Sequence, residues 1–340
     1  MPIPRLVAQV FSCFNLLRVL ALFHESNEIN LFPLMITKLF HLRYLAVKCY
    51  VDLPASISEL QNLQILIQEK FRAKNTSLPR KIWAMKNLRL MHLGTISYLP
   101  NPRRNSIRNK HMGMPNLEEL FGLCSTSCTN KVFSGIPNLK RLIIHQTPVS
   151  TERRDNYFID MSSLTKFEAL KCFNYNLPCT IERFVFPTSL KRLSFDGCFS
   201  FPWADISTLV MLPNLEELKL KDYAVKGEVW RLRDEDKFES LKLLVFSGLY
   251  LERWEASSDS FPNLKRLVLK KCFLLKEIPI DFGEICTLES IELHNCSIAA
   301  EDSATIIEQE QADMGNNSLK GAEAYFEERS SNAIFPMQNF

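Results

Sequence analysis

Leu264-Lys265-Arg266-Leu267-Val268-Leu269-Lys270-Lys271-Cys272 sets three leucines among charged residues, and its pattern returns along the whole chain. Leu139-Lys140-Arg141-Leu142-Ile143-Ile144 is a close copy. Leu164-Thr165-Lys166-Phe167-Glu168-Ala169, closed by Cys172, is a looser one. The first aliphatic of each phrase falls at Leu17, Leu42, Leu63, Leu88, Leu117, Leu139, Leu164, Leu190, Leu215, Leu241, Leu264 and Leu288. The mean step is about 24.6 residues, so one supersecondary unit is stacked many times over.

That step lies inside the leucine-rich-repeat range of about 20–29 residues. The fold class expected is therefore an α/β leucine-rich-repeat solenoid (a horseshoe) of about twelve repeats. Its concave side is a parallel sheet, and its convex side is irregular or short-helical. In each phrase the leucines point into the core and the residues between them point outward, as strand alternation requires. Leu53-Pro54-Ala55-Ser56-Ile57-Ser58-Glu59-Leu60 exemplifies the return segment, with echoes at Leu78-Pro79 and Ile278-Pro279. Pro-Asn precedes many strands, at Pro115-Asn116, Pro137-Asn138, Pro213-Asn214 and Pro262-Asn263. Proline fixes φ and asparagine bonds its own backbone, so the pair reads as a turn device. The solenoid is expected over 1–298 and a capping helix over 299–318. In that helix Asp302-Ser303 is the cap, the end lies near Met314 and Gly315 is the stop. Residues 319–340 lack periodicity and are expected to be disordered.

The 41 basic and 38 acidic side chains nearly balance. This argues against nucleic acid as the partner, which calls for a strongly basic face. Cys172, Cys198, Cys272 and Cys296 each follow the first leucine of their repeat by eight residues, the small-residue slot that steadies the turn leaving the strand. Stacked at one slot, they read as structural thiols of a reducing compartment. Cys124, Cys128 and His111 have no second ligand pair, so no metal is assigned. Met1 to Phe23 is apolar but interrupted by Arg18, and Leu17–Leu22 is itself a repeat. No stretch of about 20 uninterrupted apolar residues is present, so no transmembrane segment is expected.

The outward pairs alternate in sign: Glu118-Glu119 then Lys140-Arg141, Lys191-Arg192 then Glu216-Glu217, and Lys265-Arg266 then Glu289. Two readings stand, a solvated ladder that favours correct stacking and a charge pattern matched to a protein partner. Aromatic or imidazole residues interrupt those charges at Phe23, Tyr44, His92, Phe121, His145, Tyr223 and His294. Aromatics carry much of the energy of protein interfaces, so these seven are the candidate partner contacts on the concave face; each also has the option of leaning on a neighbour. The longest step, Leu88 to Leu117, holds Arg103, Arg104, Arg108, Lys110 and His111. That basic loop is either a docking element or a solvated excursion. The chain carries no phosphate-binding glycine loop, no metalloprotease helix, no nucleophile elbow and no kinase signature. It reads as a binding protein and not an enzyme.

Phe14-Asn15-Leu16-Leu17-Arg18-Val19-Leu20 resembles the phrase that opens the repeat domain of plant intracellular immune receptors. Phe40-His41-Leu42-Arg43-Tyr44-Leu45, followed by Leu53-Pro54, Ile57 and Leu60, is similar to their second repeat. Gly113-Met114-Pro115-Asn116-Leu117-Glu118-Glu119-Leu120, Phe133-Ser134-Gly135-Ile136-Pro137-Asn138-Leu139 and Ile307-Glu308-Gln309-Glu310-Gln311 narrow the likeness. They resemble late-blight resistance proteins of nightshade plants, which join a coiled coil, a nucleotide-binding switch and leucine-rich repeats. The resemblance covers about residues 1–318.

It implies a plant defence function in which the N-terminal repeats hold the switch domain in its ADP state and the C-terminal repeats sense a pathogen effector or a guarded host protein. Arg103, Arg104, Arg108 and Lys110 become the switch-docking loop. The coiled coil and the P-loop lysine are missing from these residues, so ADP or ATP is expected only on an upstream domain and no cofactor is assigned here. The implied location is cytoplasmic, with membrane-peripheral and nuclear members in the family. Three alternatives remain. A stand-alone adaptor, for example in ubiquitin ligation, would need an F-box, for which residues 1–14 are too short. A receptor ectodomain would need a Gly-x-Ile-Pro element in each repeat. An inactive truncated gene product is the third.

Overall fold

The computed structural model describes residues 14, 16–22, 32–48, 52–69, 75–102, 113–146, 158–174, 180–197, 199–316 and 319–325. Phe23, Arg103, Arg104, Arg108, Lys110, His111 and Cys198 lie outside them. The chain forms two compact units, Met1–Glu168 and Ala169–Phe340.

In the first unit the repeat strands are β1 (Val19–Leu22), β2 (Tyr44–Lys48), β3 (Ile65–Glu69), β4 (Leu90–Tyr98), β5 (Glu119–Cys124) and β6 (Arg141–Gln146). Each pairs in parallel with the next. In the second unit they are β7 (Ala169–Asn174), β8 (Arg192–Gly197), β9 (Glu217–Lys221), β10 (Leu243–Ser247), β11 (Arg266–Lys270), β12 (Ser290–His294) and β13 (Lys320–Tyr325). These too pair in parallel and in chain order. Both units are leucine-rich-repeat stacks, and the fold is the leucine-rich-repeat solenoid.

Eleven strands start two residues after the first leucine of their phrase, from Val19 after Leu17 to Ser290 after Leu288. The seventh does not. Its register sets Ala169 against Arg192 and Cys172 against Phe195, so Phe167 occupies the slot that Leu190 fills in the next repeat. The turn bonds before the strand accommodate the displacement. Before each phrase, the N–H of its first apolar residue donates to the carbonyl three residues back, as Leu139 does to Ile136 at 3.1 Å. In the seventh repeat both Leu164 and Phe167 make such a bond, to Met161 at 2.9 Å and to Leu164 at 3.1 Å, and the register assigns Phe167 to the phrase and Leu164 to the turn before it. Cys172 is thereby an inward core residue and not a turn thiol, correcting the expectation drawn from its spacing.

The Pro-Asn device also acts differently from the local turn expected. The Asn138 amide donates to the Pro115 carbonyl at 2.7 Å, and Asn263 to Glu239 at 2.8 Å. Asn62, Asn87, Asn116 and Asn214 make the same bond to the preceding repeat. These asparagines tie repeat to repeat, satisfying one turn carbonyl each.

The convex returns include short 3-10 turns entered through Pro33, Pro54, Pro79 and Pro279. The second unit leaves its strands through a column of left-handed residues: Gly197, Asp222, Gly248, Lys271 and Asn295, with φ of 99, 48, 61, 53 and 52°. At Gly197 a Cβ would stand 2.1 Å from the Asn174 carbonyl oxygen, so only glycine fits. The described residues of the first unit place their one positive φ at Gly122, inside β5, where the pairing with β6 slips between Phe121 and Leu123.

The cores differ as well. Aliphatic residues dominate the first unit, with Trp83 and Phe133 buried among them. In the second, Trp230 stacks between Trp203 at 4.9 Å and Trp254 at 5.5 Å, while Phe246, Phe261 and Phe282 pack edge-on against the tryptophans.

The chain then closes over the last repeat. Helix Ile298–Asp313 is capped by Ser297, whose hydroxyl accepts the Ala300 N–H at 3.1 Å. This cap lies five residues before the one expected at Asp302-Ser303. Ser303 instead turns inward and accepts the Ile278 N–H at 2.9 Å. Gln311, fully buried, donates to the Ile285 carbonyl at 3.1 Å. Beyond Gly315, Lys320–Tyr325 adds a strand beside β12, where the sequence suggests a structureless tail from 319 onward. Pairing with an open strand edge supplies the order that periodicity did not announce.

Candidate interaction face

The outward strand positions form a grid whose columns follow from the register. Among the expected contact residues, His92 on β4 and Phe121 on β5 are paired in register, their rings edge-on at 5.7 Å. Burial holds the His92 imidazole below its ordinary pKa, opposed by Glu69. Tyr44 and His145 are half-buried on β2 and β6, apart from that pair. In the second unit His294 ends β12. Tyr223 is not on the strand face: it lies two residues beyond β9 at φ 68°, its ring 5.3 Å from Tyr250 at the strand-exit edge. Among the described candidates of the first unit, His92 and Phe121 form the one contacting pair.

The alternating charges do meet across strands. Glu118 lies between Arg89 at 3.1 Å and Lys140 at 3.0 Å, and Glu119 pairs with Arg141. Hydrogen bonds from Lys140 and Arg89 hold the Glu118 carboxyl below its ordinary pKa. Lys265 pairs with Glu289 at 2.6 Å and Arg266 with Glu292 at 2.5 Å. Glu216 pairs with Lys242 at 3.3 Å, and Glu217 with Lys219 on its own strand at 3.2 Å.

One cluster escapes a reading made repeat by repeat. On β7, β8 and β9, Lys171, Ser194 and Lys219 are side by side in register. Lys221 lies in the outward column beside Asp196 and Phe173. Ser194 is the short side chain among long ones, and it floors a recess of about 20 Å³ lined also by Arg192 and Glu217. Its hydroxyl is buried without a hydrogen-bond partner among the described residues. Burial, then the neighbouring Lys171, lowers the Lys221 pKa. Burial likewise raises Asp196, although Lys171 stands 3.6 Å away. In the first unit a broader recess of about 380 Å³ is lined by neutral groups including Ser77, Tyr98, Asn101, Thr126 and Thr129. No cluster of residues suited to a metal ion occurs among the described residues, and no helix among them is long and apolar enough to cross a membrane.

Strand ladder, asparagine ties and convex 3-10 returns together define a leucine-rich-repeat protein. The profile of the family described as "Leucine-rich repeat region" matches residues 4–319, and the chain belongs to that family. It is 32% identical over 322 residues to a putative late blight resistance protein homolog of Solanum demissum, covering 89% of this chain and 39% of that protein. It is 30% identical over 319 residues to a second such homolog of the same species, covering 92% and 24%. The chain thus spans from a quarter to two-fifths of the length of these curated relatives. Among solved structures, an internalin from Listeria monocytogenes aligns with a TM-score of 0.45 at 12% identity, covering 86% of this chain and 78% of the other. A plant peptide hormone receptor aligns with a TM-score of 0.43 at 16% identity, covering 95% and 53%.

Proposed function

We propose that this chain is the sensing and restraining repeat module of a plant defence receptor. The observation that carries the reading is its likeness, over about nine-tenths of its length, to putative late blight resistance protein homologs. The strand faces support it, since they offer outward columns of charged and aromatic residues with no catalytic arrangement assigned to them. The first unit docks a nucleotide-binding switch domain, and the second recognises a pathogen effector or guarded host protein. For such a module to act, its contacts must differ between the two states of the switch. Nucleotide is bound by the switch domain and not by these residues.

Co-expression in nightshade leaf of this chain with the separately expressed N-terminal region of a late blight resistance protein homolog tests the proposal. The expected result is that the two co-purify and that cell death triggered by the N-terminal region is suppressed. Absence of both effects sinks the restraining role. Charge reversal of Arg103, Arg104, Arg108 and Lys110 is expected to weaken co-purification; unchanged association removes the basic loop from the docking face.

A further inference from the structure

We infer that the outward face of β7, β8 and β9 holds an oxyanion-binding site with Ser194 at its floor, which takes a carboxylate or phosphoryl group presented by a partner polypeptide. The inference deepens the proposed recognition role of the second unit and rests on it.

A buried hydroxyl is ordinarily paired, because losing its hydrogen bonds to water is costly. Ser194 breaks that rule at the centre of the grid. In-register residues of adjacent parallel strands are about 4.8 Å apart, so Lys171 and Lys219 flank the hydroxyl from the two sides. The recess of about 20 Å³ exceeds the roughly 10–15 Å³ that one water-sized group needs. It therefore admits the tip of an acidic group and not a whole small molecule.

The charge balance points the same way. Lys171 is shared between Asp196 at 3.6 Å and the face of Phe173 at 4.4 Å, and Lys219 is held by Glu217 at 3.2 Å. Lys221 faces Lys171, Lys219, Asp196 and Asp222. Burial lowers its pKa first and the neighbouring Lys171 next, with Asp196 and Asp222 opposing, and an incoming oxyanion would offset both the lost water and the like charge. Ser194 would donate a hydrogen bond to the same oxygen, forming the charge-assisted bonds that favour anions in partly desolvated sites.

The test is NMR titration of the full 340-residue chain with three peptides of one neutral sequence, carrying a central glutamate, phosphoserine or alanine. Amide shifts centred on Ser194 and Lys219–Lys221 are expected with the glutamate or the phosphoserine peptide and not with alanine. Whichever acidic peptide gives the shifts identifies the source of the oxyanion. Ser194→Ala and Lys221→Met are each expected to weaken binding about tenfold or more, while Lys265→Met, elsewhere on the sheet, leaves it unchanged. Ser194→Ala removes an unpartnered hydroxyl, so its melting temperature should match or exceed the wild-type value, which separates lost binding from lost folding. Identical responses to all three peptides, no response, or binding indifferent to Ser194→Ala and Lys221→Met overturns the site. A chain that restrains cell death yet ignores both anions loses only this site. One that binds the anions without restraining cell death keeps the site and loses the receptor role.

Discussion

The two units stack the same repeat from different materials. The first fills its core chiefly with leucine, isoleucine and methionine, and its strands vary from four residues in β1 to nine in β4. The second threads Trp203, Trp230 and Trp254 through successive repeats and leaves five strands in a row through a left-handed residue. Regular exits keep the register of β7 to β12 unbroken, whereas β4, β5 and β6 slip at His92/Ser97 and Phe121/Leu123. Solenoid repeats contact mainly their neighbours, so each stack is free to set its own regularity. An unbroken register is what brings Lys171, Ser194 and Lys219 into line.

The largest expected effect falls on the aromatic core. Trp230→Ala should cost about 3–5 kcal/mol, against about 2–5 kcal/mol for Leu142→Ala in the first unit. Three of the four tryptophans lie in the second unit, so urea unfolding followed by tryptophan emission reports mainly on it. A midpoint lowered no more by Trp230→Ala than by Leu142→Ala would show that the tryptophan stack adds nothing to an aliphatic core.

Next comes the turn column. Gly197→Ala places a Cβ at φ 99° against the Asn174 carbonyl, and strain of about 1–3 kcal/mol is expected in thermal unfolding. Lys271→Gly works the other way. It relieves about 1–2 kcal/mol of left-handed strain and gives back about 0.5–1 kcal/mol in chain entropy, so it should be neutral or mildly stabilising. A harmless Gly197→Ala would remove the turn column from the account of the second unit's regularity.

The same positions show what the sequence disclosed. Apolar spacing marked eleven strand starts because each leucine is followed by two outward residues and another core residue. It misplaced the seventh because Leu164 and Phe167 are both fully buried and three apart, so burial cannot rank them; the strand register, which sets Ala169 against Arg192, does. That slip hid the grid, since an alignment on Leu164 sets Glu168 rather than Lys171 beside Ser194. The asparagine ties stayed hidden for another reason. Asparagine bonding locally and asparagine bonding across repeats leave the same Pro-Asn signature. Ion pairing from Glu118 and Glu119 to Lys140 and Arg141 was legible in the alternating signs, but Tyr223 passed for a face residue because nothing in its composition marks where β9 stops.

Asparagine ties should cost the same in both units, which makes them a control on the comparison. Asn138→Ala and Asn263→Ala are each expected to lose about 0.5–1.5 kcal/mol in thermal melts. A cost confined to one unit would mean that the tie depends on core or turn regularity rather than on its own bond. Smaller still is Lys265→Met, whose half-exposed pair with Glu289 is worth about 0.2–1 kcal/mol and should vanish in concentrated salt.

The smallest effect is chemical. In the first unit Cys128 bonds the Cys124 carbonyl at 3.7 Å within one repeat. In the second, stacking brings together two thiols from successive repeats. A hydrogen bond from the Cys272 thiol lowers Cys296 to about 7 against the opposing pull of burial, while Cys272 keeps its proton and is pushed up. Between pH 7 and the usual thiol range the folded pair has released one proton and the unfolded chain none, so stability rises with pH there. Above that range the unfolded chain loses both protons and the folded pair keeps one, so the gain reverses. Alkylation of Cys296, followed by mass spectrometry, should be half-maximal near pH 7 and move to higher pH in Cys272→Ala. A midpoint that ignores the loss of Cys272 would deny that the repeat stack, rather than the turn itself, sets this thiol's acidity.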